Sequence, residues 1–294
     1  MNIALTGANG SIGKELIPFL IGLGHNVYRI SSSIPSDGEF YFSYKELIAR
    51  SINVKIDVFF HLASINSNLA EEEINDEVNL TRDMLLSLPS LDCKKLIFFS
   101  SAKVYGDNSF SKVFFSEEDQ LKPICYYGKA KKLSEELIQI ESFRLGIKSI
   151  IFRLPPVFNK LSNSNLGKLI KLSQNKIPLP ILKQGLVNQR SFLSLNNLQA
   201  IIDFALINKE TFFENEIYNS SDSEFISINE LLTAAGNSYI FIIPKTLSNF
   251  FLKLPLIKNL LLKLYGNFVL DNSKLQAAMD VKLKTTHQSI KINS

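Results

Sequence analysis

The sequence predicts a doubly wound parallel α/β sheet followed by a smaller C-terminal lobe. Three observations predict it. The chain opens on an apolar run, a glycine-punctuated turn and an amphipathic helix. Apolar runs then alternate with helical spacings as far as residue 158. Beyond that the strict alternation weakens, as expected where a parallel sheet gives way to a second unit. The expected division is a core of residues 1–158, to which 184–218 return, and a lobe of 159–183 and 219–294.

Bulk properties agree with a globular chain. Of 294 residues, 46% are hydrophobic and 20% charged, enough apolar material for a large core. The formal charge of +4 is mild and no basic cluster appears, so nucleic acid is not expected as a partner. Cys93 and Cys125 give neither a disulfide framework nor metal spacing, and His25, His61 and His287 are scattered, so no metal is expected. Free thiols and a strand that starts at residue 2 point to the cytoplasm, with no signal peptide. The most apolar region, Leu247 to Leu270, is interrupted by Lys253, Pro255, Lys258 and Lys263, so no transmembrane segment is expected. It reads as helices packed on the lobe, with a peripheral membrane contact as the second reading.

Ile3, Ala4 and Leu5 read as a buried strand, and Leu16, Ile17, Leu20 and Ile21 mark one face of a helix from Lys14 to Leu23. Between them Gly7 permits a tight turn, Gly10 lets a pyrophosphate approach bare backbone, and Gly13 lets helix and strand pack closely. A helix N-terminus offers N–H groups and partial positive charge to phosphates, so strand, turn and helix together point to dinucleotide binding. Asn26 to Ser31 is the second strand. Its end chooses the cofactor: an acid there favours NAD, and its absence tolerates the extra phosphate of NADP. Ser31, Ser32 and Ser33 stand there instead, which leans towards NADP; Arg29 helps only if its side chain leaves the sheet.

Phe40 to Ser43 is a short third strand and Tyr44 to Ile52 a short helix. Asp57 to Ala63 is the fourth strand with its exit, Glu71 to Leu88 a helix, and Lys95 to Ser101 the fifth strand. Ligands bind at the carboxyl ends of such strands, so the glycine turn, His61 to Ser64 and Ser100-Ser101 should share one crevice. A helix runs from near Tyr126 to Leu145, and Ser149 to Leu154 is the sixth strand. Later come a helix over Asn165 to Gln174, an extended Lys176 to Leu182, a strand at Arg190 to Ser194 and a helix over Asn196 to Ile207. A short strand at Ile217-Tyr218 follows, then a helix over Ile228 to Ala235 with Ser227 as N-cap.

Tyr127 and Lys131 are four apart on a helix, hence on one face. An ammonium beside a phenol stabilises the phenolate; bringing a tyrosine from about 10 to about 7 takes roughly 4 kcal/mol of such help. That suits proton exchange with a sugar or alcohol oxygen while hydride moves to or from a nicotinamide. Ser101, at the end of the fifth strand, is placed to hold the reacting oxygen.

Thr6-Gly-Ala-Asn-Gly-Ser-Ile-Gly13, His61-Leu-Ala63, Ser100-Ser-Ala-Lys-Val-Tyr-Gly106, Tyr127-Gly-Lys-Ala-Lys131 and Arg153-Leu-Pro occur in this order. With them the chain resembles the extended short-chain dehydrogenase/reductases, the nucleotide-sugar epimerases, dehydratases and reductases. The resemblance implies a Rossmann sheet and a lobe that holds a nucleoside-diphosphate sugar. It implies Tyr127 as catalytic acid/base, Lys131 on the nicotinamide ribose and tuning Tyr127, and Ser101 on the sugar oxygen. Gly7, Gly10, Ser11, Ile12 and Gly13 would line the cofactor diphosphate, with Ala63 and Ser31 beside the cofactor. Asn79 matches the family's buried active-site asparagine, while Asn165 and Arg190 match residues near the sugar diphosphate. The resemblance also allows a homodimer through a four-helix contact that includes the Tyr127 helix.

Departures from the pattern are Ser31 for an acid, Ser43 for a frequent aspartate near adenine, and Phe158-Asn-Lys160 for Tyr-Gly-Pro. Dehydratases resemble Thr-Asp-Glu where this chain has Ser101-Ala102-Lys103, so elimination of water is not expected. Ser-Ser-x-Lys-Val, with Asn188 to Leu198 and Gly266 to Asp271, resembles bacterial surface-polysaccharide enzymes that act at C4 of N-acetylated sugar nucleotides. The expected function is thus an NAD(P)-dependent 4-ketoreductase of a UDP-linked hexose. Its alternatives are a UDP-glucose 4-epimerase-like enzyme and a non-catalytic dinucleotide-binding sensor; a lipid-linked sugar is a further substrate reading.

Overall fold

A seven-stranded sheet carries the first part of the chain. The computed structural model describes residues 1–32, 40–65, 68–109, 111, 114–158, 171, 179–181, 187–236, 240–244, 254, 261–263, 265–280 and 282–292. The sheet strands are β1 (Asn2–Thr6), β2 (Asn26–Ser31), β3 (Tyr41–Ser43), β4 (Val58–His61), β5 (Lys95–Ser101), β6 (Lys148–Leu154) and β7 (Glu216–Asn219). Their order is β7-β6-β5-β4-β1-β2-β3, the doubly wound arrangement that the alternation predicts. The pairings β1–β2, β1–β4, β2–β3 and β4–β5 are parallel, with Thr6 opposite both Ile30 and His61. Ile3, Leu5, Val58, Phe59, Phe60, Leu96, Ile97 and Phe98 are completely buried, so these strands read as continuous apolar runs rather than alternations.

Four helices pack in this part: α1 (Gly13–Gly22), α2 (Tyr44–Ile48), α3 (Ile74–Ser87) and α4 (Tyr126–Leu145). Local chemistry sets their ends. Ser43 and Glu46 form a reciprocal capping box at α2. At α4 the Cys125 sulfur accepts the Gly128 N–H, and Gly146 closes the helix in a left-handed conformation, φ +62. The expected N-cap Ser227 forms a capping box with Glu230 on the helix Ile228–Ala234.

Contacts within the chain divide it into two compact units. The first holds Met1–Gly106, Leu121–Arg153 and Ile202–Tyr218; the second holds Asp107–Gln120, Leu154–Ile201 and Asn219–Ser294. This differs from the expected boundaries. Residues 107–120 join the second unit because Phe114–Phe115 pairs with Val269–Leu270. Residues 154–158 join it because Val157–Phe158 pairs with Leu193–Ser194. Of the stretch expected to return to the core, only 202–218 does so, the C-terminal part of helix α5 (Leu195–Ile207) together with the approach to β7. The second unit has a core of its own around Phe158, Ile181, Phe192, Leu231 and Leu232. The expected helix over Asn165 to Gln174 apart from Lys171, residues 159–164, Ser33 and most of Leu247 to Leu270 lie outside the described residues. No described helix is long and apolar enough to cross a membrane.

Candidate active site

The turn after β1 is shaped by close approach. Gly7 has φ +74, and a Cβ there would lie 2.8 Å from the Ala63 backbone nitrogen, so β1 and the exit of β4 touch where Gly7 passes. A Cβ on Gly13 would collide with the Gly7 carbonyl oxygen, which locks α1 against the turn. Gly10 and Ser11 are exposed, Ile12 is half-buried, and no side chain caps α1. Bare backbone and an uncapped helix N-terminus therefore face outward together, which fits a diphosphate. A cavity of about 350 Å³ adjoins the turn at Ala8 and Asn9, with Lys14, Arg29 and Tyr41 on its wall.

Ser31 is buried at the end of β2, opposite Ser43. Ser43 is spent on capping α2. Arg29 does not reach past the strand end: its guanidinium donates to the Tyr41 hydroxyl at 2.5 Å and lies 4.8 Å from that ring's centre.

Tyr127 and Lys131 lie on one face of α4, with the Lys131 ammonium 5.7 Å from the Tyr127 ring centre and 4.9 Å from that of Phe98. Tyr127 is half-exposed, whereas Lys131 is only 1% exposed. A charge so deeply placed needs a partner. It has one in Glu77 on α3, whose carboxylate is 3.0 Å away and equally buried. The other Glu77 oxygen accepts the Ile65 N–H at 2.7 Å, tying the segment after β4 to the same pair.

Ser101 ends β5, and its hydroxyl oxygen accepts the Lys103 N–H at 3.2 Å, capping a single 3-10 turn. That turn abuts the start of α4. A Cβ on Gly128 would come within 2.5 Å of the Lys103 carbonyl oxygen. Gly128 follows Tyr127 directly, so its missing side chain is what lets the Ser101 turn and the Tyr127 turn meet.

Behind this pair runs a row of neutral polar groups. Thr6 and His61 Nδ1 are 2.8 Å apart, His61 Nε2 and Thr81 are 3.2 Å apart, and Thr81 donates to Ser134 at 3.2 Å. His61 is completely buried and held neutral. Burial first, and the Lys131 charge second, push its pKa down to about 3. Tyr44, at the start of α2, is hydrogen-bonded to the Gly7 backbone and the Thr6 side chain; burial above all, and Glu77 with it, push its phenol up to about 12. A second buried pair lies further along α4. Arg153 donates to Glu135 Oε1 at 3.2 Å and to Oε2 at 2.7 Å, and to the Tyr105 hydroxyl at 2.8 Å, while Ser100 donates to Glu135 at 2.5 Å. Burial opposes the Arg153 charge, but Glu135 and Tyr105 outweigh it and its pKa rises.

The residues expected at the substrate fare differently. Asn79 is not the buried asparagine that the resemblance implies. It lies on the exposed face of α3, where Arg82 donates to it at 2.5 Å. Glu77 and Thr81, buried polar positions of α3, stand two residues to either side and so on the opposite face. Asn165 lies outside the described residues. Arg190 is buried in the second unit, where it bridges to Ile226 and Phe268 and donates to the Lys263 carbonyl; burial pulls its guanidinium down to about 10. Among the described residues, no group of three His, Cys, Asp or Glu is arranged to hold a metal.

Glu77, Thr81 and Gly128 thus join the candidate site beyond the residues assigned from the sequence, and His61, expected in the crevice, is a buried link behind it. Glu77 stands in a polar run of α3, Ile74-Asn-Asp-Glu-Val-Asn, and nothing in composition separates it from its neighbours. Gly128 had a legible signal: a glycine inside a helix pattern usually marks close packing.

Residues 3–220 match the model of the NAD dependent epimerase/dehydratase family. A UDP-glucose 4-epimerase of Vibrio cholerae is 25% identical over 246 residues, 79% of this chain and 74% of that one. A UDP-2-acetamido-2,6-beta-L-arabino-hexul-4-ose reductase of Pseudomonas aeruginosa is 27% identical over 170 residues, 58% of this chain and 39% of that one. The crystal structure of a UDP-N-acetylglucosamine 4-epimerase from Bacillus cereus superposes with a TM-score of 0.79 at 18% identity, covering 100% of this chain and 98% of that one. The family match spans most of the chain, and the glycine turn, the sheet order and the Tyr127–Lys131 face fit it: the chain belongs to the NAD dependent epimerase/dehydratase family.

Proposed function

We propose that this protein is an NAD(P)-dependent 4-ketoreductase of a UDP-linked N-acetylated hexose. The observation that carries the reading is the Tyr127–Lys131 pair pressed against the Ser101 turn through Gly128. Gly7, Gly10, Ser11, Ile12 and Gly13 would hold the cofactor diphosphate, Ala63 and Ser31 its neighbouring parts, and Lys131 the nicotinamide ribose. Reduced nicotinamide, when bound, supplies hydride to C4. The C4–O4 π pair then moves onto O4, which takes the Tyr127 proton and becomes a hydroxyl. Ser101 holds O4 in place, and the Tyr127 phenolate regains its proton from solvent. Asn165 and Arg190 are proposed for the sugar diphosphate, in keeping with the resemblance. The absence of an acid at Ser31 supports NADP over NAD.

A 4-epimerase is the second reading, favoured by the names of the Vibrio cholerae and Bacillus cereus proteins. It would use Tyr127 first as base and then as acid. The test is reduced-nicotinamide absorbance with NADPH or NADH and a UDP-4-keto-6-deoxy-N-acetylhexosamine. Stoichiometric loss of signal that vanishes in Tyr127→Phe supports the reductase. A UDP-hexose converted to its C4 epimer without net loss refutes it in favour of the epimerase. Leu133, Ile140 and Phe143 are exposed along α4, which supports a homodimer through that helix; a sedimentation mass of one chain refutes this assembly.

A further inference from the structure

We propose that Glu77 is a positioning residue for the catalytic pair: its carboxylate fixes the Lys131 ammonium and answers its charge, which weakens that cation's pull on the Tyr127 phenol. The inference rests on the reading of Tyr127 as proton donor. The resemblance leads one to expect a buried asparagine on α3 at Asn79, which is exposed. The structure buries an acid of α3 instead, 3.0 Å from Lys131, with both partners at most 2% exposed.

A carboxylate brings two acceptor oxygens and a charge, an amide one acceptor oxygen and no charge, so the two differ as neighbours of a phenol. A lone ammonium beside Tyr127 favours the phenolate, the form in which a dehydrogenase or epimerase begins. An ammonium paired with a carboxylate presents a dipole, whose pull on the phenol is far weaker. The surroundings leave this balance to the pair. From β4 the site meets His61, which is neutral. From α2 it meets Tyr44, whose phenol keeps its proton. From β5 it meets the Phe98 ring, and from α3 and α4 the hydroxyls of Thr81 and Ser134. Lys131 and Glu77 are the charges that α3 and α4 bring to the Tyr127 face among the described residues, and the turn after β5, which abuts Gly128, carries the further cation Lys103, common to every variant compared. An ammonium has three N–H donors, so a bond to Glu77 leaves two for the ribose of the cofactor. The bond from Ile65 to Glu77 also links the Lys131 position to the segment after Ala63.

The proton equilibrium of Tyr127 can be read without substrate. The ultraviolet band of tyrosinate is titrated in the wild type and in Tyr127→Phe, and the difference isolates Tyr127. The same pair is measured in the Glu77→Gln background, where Gln keeps the shape but offers one acceptor oxygen and no charge in place of the two oxygens that serve Lys131 and Ile65. Loss of the carboxylate is expected to move the Tyr127 transition to lower pH by about one unit or more. The basic limb of the reductase pH profile should move with it, while the KM for cofactor changes little. A Tyr127 transition that stays put in a folded Glu77→Gln protein overturns the proposal. Should Glu77→Gln not fold, Glu77→Asp carries the test: its shorter carboxylate draws back from Lys131, so a smaller shift in the same direction is expected, and none overturns it. If the wild type turns over no ketosugar, the reductase reading fails, but the titration still decides the role of Glu77.

Discussion

Acid should weaken this fold through one histidine. An ordinary histidine takes a proton near pH 6.5, and in the unfolded chain His61 does so. In the folded protein burial holds it neutral down to about 3. Between these values the unfolded state binds a proton that the folded state refuses, so acid favours unfolding. The contribution of His61 to stability is therefore complete above pH ~6.5 and is lost progressively as pH falls towards about 3. Each unit is worth about 1.4 kcal/mol, so by about pH 5 the loss is about 2 kcal/mol. Urea unfolding of the wild type and of His61→Gln at about pH 7.5 and about pH 5 would measure it. The variant starts lower, having lost the bonds to Thr6 and Thr81, but should lose about 2 kcal/mol less between the two pH values. Equal losses would show that His61 is not a buried neutral link between β1 and α3, and would refute the reasoning.

Three further outcomes follow from the geometry. Gly128→Ala should destabilise the protein by about 1–3 kcal/mol and cut turnover more than cofactor affinity, because its Cβ meets the Lys103 carbonyl at 2.5 Å; thermal unfolding with steady-state kinetics checks both. Glu135→Ala leaves the 3% exposed Arg153 without its carboxylate and should cost about 3–5 kcal/mol, measured by urea unfolding, with Glu135→Ala/Arg153→Met regaining much of the loss. Cys93 is completely buried and its thiol is pushed up to about 12, mainly by burial, so a maleimide should label Cys125 in the native protein and Cys93 only in urea; mass mapping distinguishes the two.

Much of the sheet was legible because its strands are buried on both sides. Lys95–Ser101 and Asn26–Ser31 form as the apolar runs imply, and Tyr126–Leu145 as the helical spacing implies. The common face of Tyr127 and Lys131 was legible too, since four-residue spacing on a helix decides which side chains meet. The unit boundaries were not. Phe114–Phe115 and Val269–Leu270 pair across 150-odd residues through strands of two residues each, too short for a pattern. Asn79 failed for a related reason: a shift of two positions on a helix turns a residue to the other side, and the sequence around it offers Asn75, Asp76, Glu77 and Asn79 in succession. Only packing against α4 singles out Glu77.

The buried side of α4 is unusual in being polar. Lys131, Ser134, Glu135 and Ser142 are all sunk to 1% exposure or less, while Ile140 and Phe143 face outward. A greasy helix can dock in several rotations at similar energy. This one cannot, because a turn of one residue would strand Lys131 away from Glu77 and Glu135 away from Arg153 at once. Docking of α4 is thereby proofread during folding, and a chain that has accepted the helix has, in the same event, set the angle at which Tyr127 stands beside the Ser101 turn.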